Sequence, residues 1–174
     1  MDAVLRSQTP AFTFLERGAW SDKRFKWVGP VVSTSIVAIA CDRQNIQLHS
    51  LSDLAIYDAG VEFGSLAEKT IRHLAHKPSY LFDLGRPQNA LPVLMQGRLD
   101  LWIADRLEAA WHIEQSEYAP EDFNIAYLIA DQAYYLAFNN RTPEVIIDEW
   151  QAVLDEAVRS DKVHKMVKMY VPRR

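Results

Sequence analysis

Val61-Glu62-Phe63-Gly64-Ser65-Leu66 and Leu99-Asp100-Leu101-Trp102-Ile103-Ala104-Asp105 decide how this chain is to be read. Each is a short apolar run that ends at a small or acidic residue and opens a helical pattern, Leu66 to Ala75 in one case and Arg106 to Ser116 in the other. Strands alternating with helices of about 10 residues predict a mainly parallel sheet with right-handed crossovers. In such a sheet both junctions lie at the carboxyl ends of strands, where open α/β folds hold their ligands. One junction offers helix N–H donors and a hydroxyl, the other a carboxylate, a pair of functions suited to a small zwitterion.

Working outward, Ile36 to Ala40 is apolar and β-branched and reads as a buried strand, and Ser50-Leu51-Ser52-Asp53 has the spacing of a capping box before a short helix. Tyr80 to Leu84 reads as a strand, and Pro87 to Gln96 as a helix closed by Gly97. Asn124 to Ile129 and Ala133 to Phe138 read as two further strands. Thr142-Pro143-Glu144 then predicts a helix start, with Thr142 as N-cap and Pro143 in the first turn. The helix behind it sets Val145, Ile146, Trp150, Val153, Leu154 and Val158 on one apolar stripe, and a last helix runs from Asp161 to Tyr170. Toward the N-terminus, an apolar patch from Ala11 to Leu15 precedes a polar loop, Glu16 to Arg24, and Phe25 to Pro30 stops at a Gly-Pro turn.

A chain of 174 residues with 49% hydrophobic content can bury a core, and its formal charge of −4, with no basic stripe interleaved with aromatics, argues against nucleic acid as a partner. Cys41 is the one cysteine, so no intrachain disulfide is possible, and at the end of an apolar strand it reads as a small core residue. His73 and His76 share a helix face, but no acid or cysteine sits at matching ligand spacing, so no metal is expected. No nucleophile and base stand at catalytic spacing, and no cofactor motif is present, so binding is expected ahead of catalysis. Trp20, Phe25 and Trp27 have two readings, stacking on a ligand or core packing beside the Gly-Pro turn. Ser65 with Glu68, and Asp105 before Arg106, are also open to a plain reading as helix caps.

The order Phe25-Lys26-Trp27-Val28-Gly29-Pro30, Ser52-Asp53-Leu54, Val61-Glu62-Phe63-Gly64-Ser65-Leu66-Ala67-Glu68, Gly97-Arg98-Leu99-Asp100 with Asp105, and Thr142-Pro143-Glu144 resembles the family 3 extracellular solute-binding proteins of ABC importers, the type that takes polar amino acids. The resemblance runs from about Asp2 onward. It implies a periplasmic-binding-protein-like α/β fold: one complete lobe with a mainly parallel sheet, residues 42–133, and a partial one, residues 1–41 and 134–174, joined by two crossing strands near Ile36 to Ala40 and Tyr134 to Phe138. It further implies that Gly64, Ser65, Leu66 and Asp105, with Thr9 and Trp27 of the partial lobe, line a site for an amino acid or small carboxylate. The membrane subunits of an importer would be partners, and the periplasm the location.

Two departures from the family pattern stand out. Its Thr-Pro-x-Arg segment supplies a guanidinium for the ligand carboxylate, whereas Thr9-Pro10-Ala11 is followed here by Phe12, leaving Arg6, Arg17 or Arg24 as substitutes. The family's opening strands and helices also have no counterpart, so the expected alternative is a truncated relative that no longer binds solute and serves as an oligomerising or interaction module. In either case unpaired sheet edges predict a homodimer, formed by completing the partial lobe or by domain swapping. Some proteins of the same two-lobed fold are dehydratases acting on cyclic carboxylates, an analogy of fold alone.

Overall fold

The computed structural model describes residues 2–7, 12–17, 22–74 and 76–170. Along the chain these form α1 (Asp2–Arg6), β1 (Phe12–Glu16), β2 (Phe25–Cys41), β3 (Asp58–Val61), α2 (Leu66–His73), β4 (Tyr80–Asp83), α3 (Ala90–Met95), β5 (Leu101–Asp105), α4 (Arg106–Glu114), β6 (Phe123–Asn139), α5 (Glu144–Arg159) and α6 (Lys162–Tyr170). Hydrogen bonding orders the strands β1-β6-β2-β5-β3-β4. The chain divides into two compact units, residues 1–34 with 132–174, and residues 35–131, so β2 and β6 each run from one to the other.

In the second unit β3 pairs in parallel with both β4 and β5, through Asp58↔Tyr80 to Val61↔Asp83 on one side and Ala59↔Leu101 on the other. β2 joins β5 antiparallel, Ile36 opposite Asp105. The sheet is therefore parallel at its centre and mixed at its border. Alternation along the strands separates two apolar layers. Ile36, Ala38 and Ala40 of β2 and Leu101 and Ile103 of β5 pack with Ala67 and Ile71 of α2, while Val37 and Ile39 with Trp102 and Ala104 pack with Leu91 and Leu94 of α3. Helices thus cover both faces, which is why β5 is an unbroken apolar run. Trp102 is 1% exposed, and truncating it to alanine would cost roughly 3–5 kcal/mol. Gly60 of β3 is closely packed: a Cβ there would lie 2.6 Å from a Leu99 methyl and 2.9 Å from a Leu84 methyl, so both side chains would have to shift.

The first unit has a smaller core of Val28, Phe138 and Ile147, with Leu136 and Leu154 against it. β1 pairs antiparallel with β6, Phe12 opposite Phe138. Several sequence expectations are corrected here. Phe25 to Pro30 and Ile36 to Ala40 are not separate elements, because β2 continues through the Gly29-Pro30 bond, which is cis. Likewise Asn124 to Ile129 and Ala133 to Phe138 are one strand, β6. Thr142 does not cap α5. Its hydroxyl bonds the Asn139 side chain at 2.9 Å, both residues are buried, and Pro143 takes the cap position. The α5 stripe is also redrawn, since Ile147, Gln151 and Leu154 face the core whereas Val145 and Val153 stay 61% and 68% exposed on other sides of the helix. Cys41 is buried, with its sulfur 3.6 Å from that of Met95.

Candidate functional site

β3 and β5 lie side by side and parallel, so the turns that leave their carboxyl ends open at the same end of the second unit. After β3 the chain turns through Gly64, at φ +86, a backbone conformation that suits glycine. Ser65 follows as the N-cap of α2, its hydroxyl accepting the Glu68 N–H at 3.1 Å. Glu68 answers through both oxygens, one accepting the Gly64 N–H at 2.6 Å and the other the Arg72 guanidinium at 2.6 Å. Those two contacts, the Gly64 amide first, hold the Glu68 carboxyl below its usual range. Arg72 also lies over the Phe63 ring, 5.2 Å from its centre. Asp83, at the end of β4, accepts from Phe63 N–H and Gly85 N–H and ties the neighbouring turn in place.

Asp105 ends β5 and caps α4, its Oδ1 accepting from Leu107 N–H at 2.8 Å and Glu108 N–H at 3.3 Å. One turn into α4, Glu108 is pushed up to about 6, first by burial and then by the charges of Glu62 and Asp105. His112, a further turn along, is pushed down by burial, against the opposing influence of Glu62. Three carboxylates therefore share one electrostatic neighbourhood: Glu62 just after β3, Asp105 at the end of β5 and Glu108 on α4. A cation is the charge such a neighbourhood attracts.

The structure thus brings Gly64, Ser65, Leu66 and Asp105 into one unit, on adjacent strand ends, and Ser65 and Asp105 both serve as caps. Trp27 belongs to the other unit. There its ring meets Phe25 and Tyr135 edge-on, Arg17 lies 5.8 Å above it, and its Nε1 donates to the Asp22 carbonyl. Phe25 is buried core, and Arg17 is paired with Asp22 at 2.6 Å. Thr9 and Trp20 lie outside the described residues. Phe12, in the place of the arginine of the Thr-Pro-x-Arg pattern, packs on Phe138 and Trp150 at 5.2 and 5.3 Å. Sequence reasoning missed Glu62, Glu108 and His112. The signal was Asp105, Glu108 and His112 at helical spacing on one face, with Glu62 just past the adjacent apolar run.

Among the described residues no group of three or more His, Cys, Asp or Glu could hold a metal ion, and no helix is long and apolar enough to cross a membrane. A cavity of about 460 Å³ in the second unit, lined by Asp42, Asn45, Gln47, His49 and Asn124 among others, touches none of the residues above.

This is a periplasmic-binding-protein-like fold: solved structures of that kind match over nearly the whole chain. Amino-acid substrate-binding proteins of ABC transporters are among these neighbours. One is AbpA of Streptococcus pneumoniae bound to L-arginine, 19% identical, with 90% of this chain and 65% of that chain covered at a TM-score of 0.68. The ligand-binding core of GluR0 in complex with L-glutamate matches 98% of this chain and 76% of its own at 10% identity and a TM-score of 0.78. An ancestral amino-acid-binding protein, AncCDT-1, described as a precursor of cyclohexadienyl dehydratase, matches 98% of this chain and 72% of its own at 12% identity and a TM-score of 0.70. No family model and no curated protein matches the sequence. The chain spans about two thirds to three quarters of the length of these neighbours.

Proposed function

We propose that this chain is a solute-binding module for an amino acid, with its second unit supplying the carboxylates that receive the ligand's ammonium group. The observation that carries the reading is the shared neighbourhood of Glu62, Asp105 and Glu108 at the adjacent ends of β3 and β5. An amino or guanidino group placed there would receive charge-assisted hydrogen bonds, roughly twice as strong as neutral ones. Leu66, in the first turn of α2, is where a ligand carboxylate would meet helix N–H donors, although the Gly64 amide is already taken by Glu68. The balance of charge favours a cationic amino acid over a plain carboxylate. Neighbours with bound arginine and bound glutamate support an amino acid as the class.

The role that follows is carriage of solute to the membrane subunits of an importer, outside the cytoplasm, by binding without chemical turnover. Calorimetric titration with arginine, lysine, glutamate, glutamine and small carboxylates tests the reading. Heat from the cationic members, rising in affinity above pH 6, is expected. Flat titrations and unchanged melting temperatures across the panel would overturn it.

A second reading, an oligomerising module without solute, is favoured by one feature: β1, at one end of the strand order, carries Phe12 and Phe14, each 47% exposed.

A further inference from the structure

Charge is distributed unevenly along this chain. Residues 162–174 hold three lysines, two arginines and no acid, so that of a formal charge of −4 the other residues carry −9 and this segment +5. Its described part is α6. Val163 and Val167 are half-buried, while Lys162, Lys165 and Lys168 are exposed, together with Met166 at 62% and Met169 at 79%. The spacing sets each exposed methionine one turn beyond a lysine, Lys162 before Met166 and Lys165 before Met169. α5, packed against α6, carries Glu144, Asp148, Glu149, Asp155 and Glu156, yet none of them forms an ion pair with a lysine of α6 among the described residues.

We propose that this face of α6 docks on an anionic lipid surface. Two unbranched, flexible thioether side chains ringed by unpaired lysines match what an interfacial helix presents: an apolar strip that enters the acyl boundary and long basic stems that reach back to phosphate. Charge complementarity points to the occupant: three exposed lysines stand beside two exposed methionines in a segment of net charge +5, and a bilayer rich in anionic headgroups offers negative charge and an apolar interior together. The docking is independent of solute binding and leaves the second unit's residues untouched.

Co-sedimentation of the full chain with phosphatidylcholine vesicles, with and without phosphatidylglycerol, tests it. Binding is expected to the anionic vesicles alone and to fade at high salt. Each lysine is worth roughly fivefold in affinity at such a surface, so Lys162→Glu/Lys165→Glu/Lys168→Glu should reduce binding by at least about a hundredfold. Met166→Ser/Met169→Ser should reduce it roughly tenfold at unchanged charge. All five positions are exposed, so circular dichroism melts of both variants should match the parent. Equal binding to neutral vesicles, no binding to either, or undiminished binding by the lysine variant overturns the proposal. So does retention by duplex DNA in place of vesicles, or a methionine variant that abolishes self-association, which would mean that another copy covers this face.

Discussion

The Glu68 carboxylate accepts the Gly64 amide at 2.6 Å, a bond that closes the turn between β3 and α2 from within the chain. An anion arriving from solution at this helix end must therefore compete with a resident one. The same carboxylate holds Arg72 over Phe63, so a single residue fixes the turn, the first helical residues and a cation.

Replacing Glu68 tests that account. Glu68→Gln should lower the melting temperature at neutral pH, because the amide group is a weaker partner for both the Gly64 N–H and Arg72. The carboxyl is shifted downward in the folded state, so its stabilisation is fully present above the unfolded value of 4.5 and is lost as pH falls below that toward the folded value. Melts at pH 7 and pH 3 should accordingly show a difference between variant and parent that shrinks at the acid end; a difference independent of pH would remove the charge from the explanation.

Asp105 offers a sharper division between cap and ligand contact. Asp105→Ala removes the acceptor for the Leu107 and Glu108 amides and should cost about 0.5–2 kcal/mol of stability. Asp105→Asn keeps an oxygen in that place but not the charge, so it should melt close to the parent and still lose most of the affinity for a cationic amino acid. Should Asp105→Asn bind as the parent does, Asp105 is a cap and nothing more.

For Glu108 the sign is reversed. Its carboxyl is raised in the folded state from 4.5 to about 6, so folding is favoured by the proton. Relative to low pH, the group costs stability as pH climbs through that interval, and the full cost is present above pH 6. The shift corresponds to about 2 kcal/mol at most, reduced to about 1 kcal/mol because the group is partly solvated. Glu108→Gln should therefore stabilise the protein at pH 8 and leave it unchanged near pH 4, as read from paired melts.

Much of this was legible in the sequence because the relevant signals are local. Leu101 to Ala104 form an unbroken apolar run and Asp105 breaks it, so strand, cap and helix follow in order, as observed. The burial of β2 was equally plain from Ile36 to Cys41. What escaped depended on distant partners. Gly29-Pro30 reads as a stop because proline cannot donate to a ladder, yet the Gly29 N–H is satisfied by Gln151 of α5 and Tyr135 of β6 lies where a Cβ would be. Asp131-Gln132 looks like a break in β6 because that strand passes there from one unit into the other, where an apolar run is not required. The Glu62–Glu108 coupling was invisible for a similar reason, since it arises only once β3 pairs with β5.

Gly29 itself carries a prediction. Its φ is +149, and a Cβ would fall 2.5 Å from Cδ1 of Tyr135. Gly29→Ala should cost about 1–3 kcal/mol from backbone strain alone, with the clash in addition. Combining it with Tyr135→Ala should recover the clash but not the strain, so a double-mutant cycle by denaturant unfolding should show favourable coupling and incomplete rescue. Additive losses would mean that Tyr135 yields freely.

The expected homodimer rests on β1. That strand is bonded to β6 on one side, stands at one end of the strand order and exposes Phe12 and Phe14, while its ring contacts with Phe138, Trp150 and Tyr134 hold both side chains against the same unit. An edge strand with rigid aromatics and no lysine is a template for pairing with a second copy. Light scattering after size exclusion at micromolar concentration should give twice the monomer mass. Phe14→Lys, which places a charge on the edge without disturbing Phe12 or Trp150, should return the monomer with little change in melting temperature at high dilution. A parent that is monomeric at every concentration, or a Phe14→Lys variant that remains a dimer, would place any association elsewhere than at this edge.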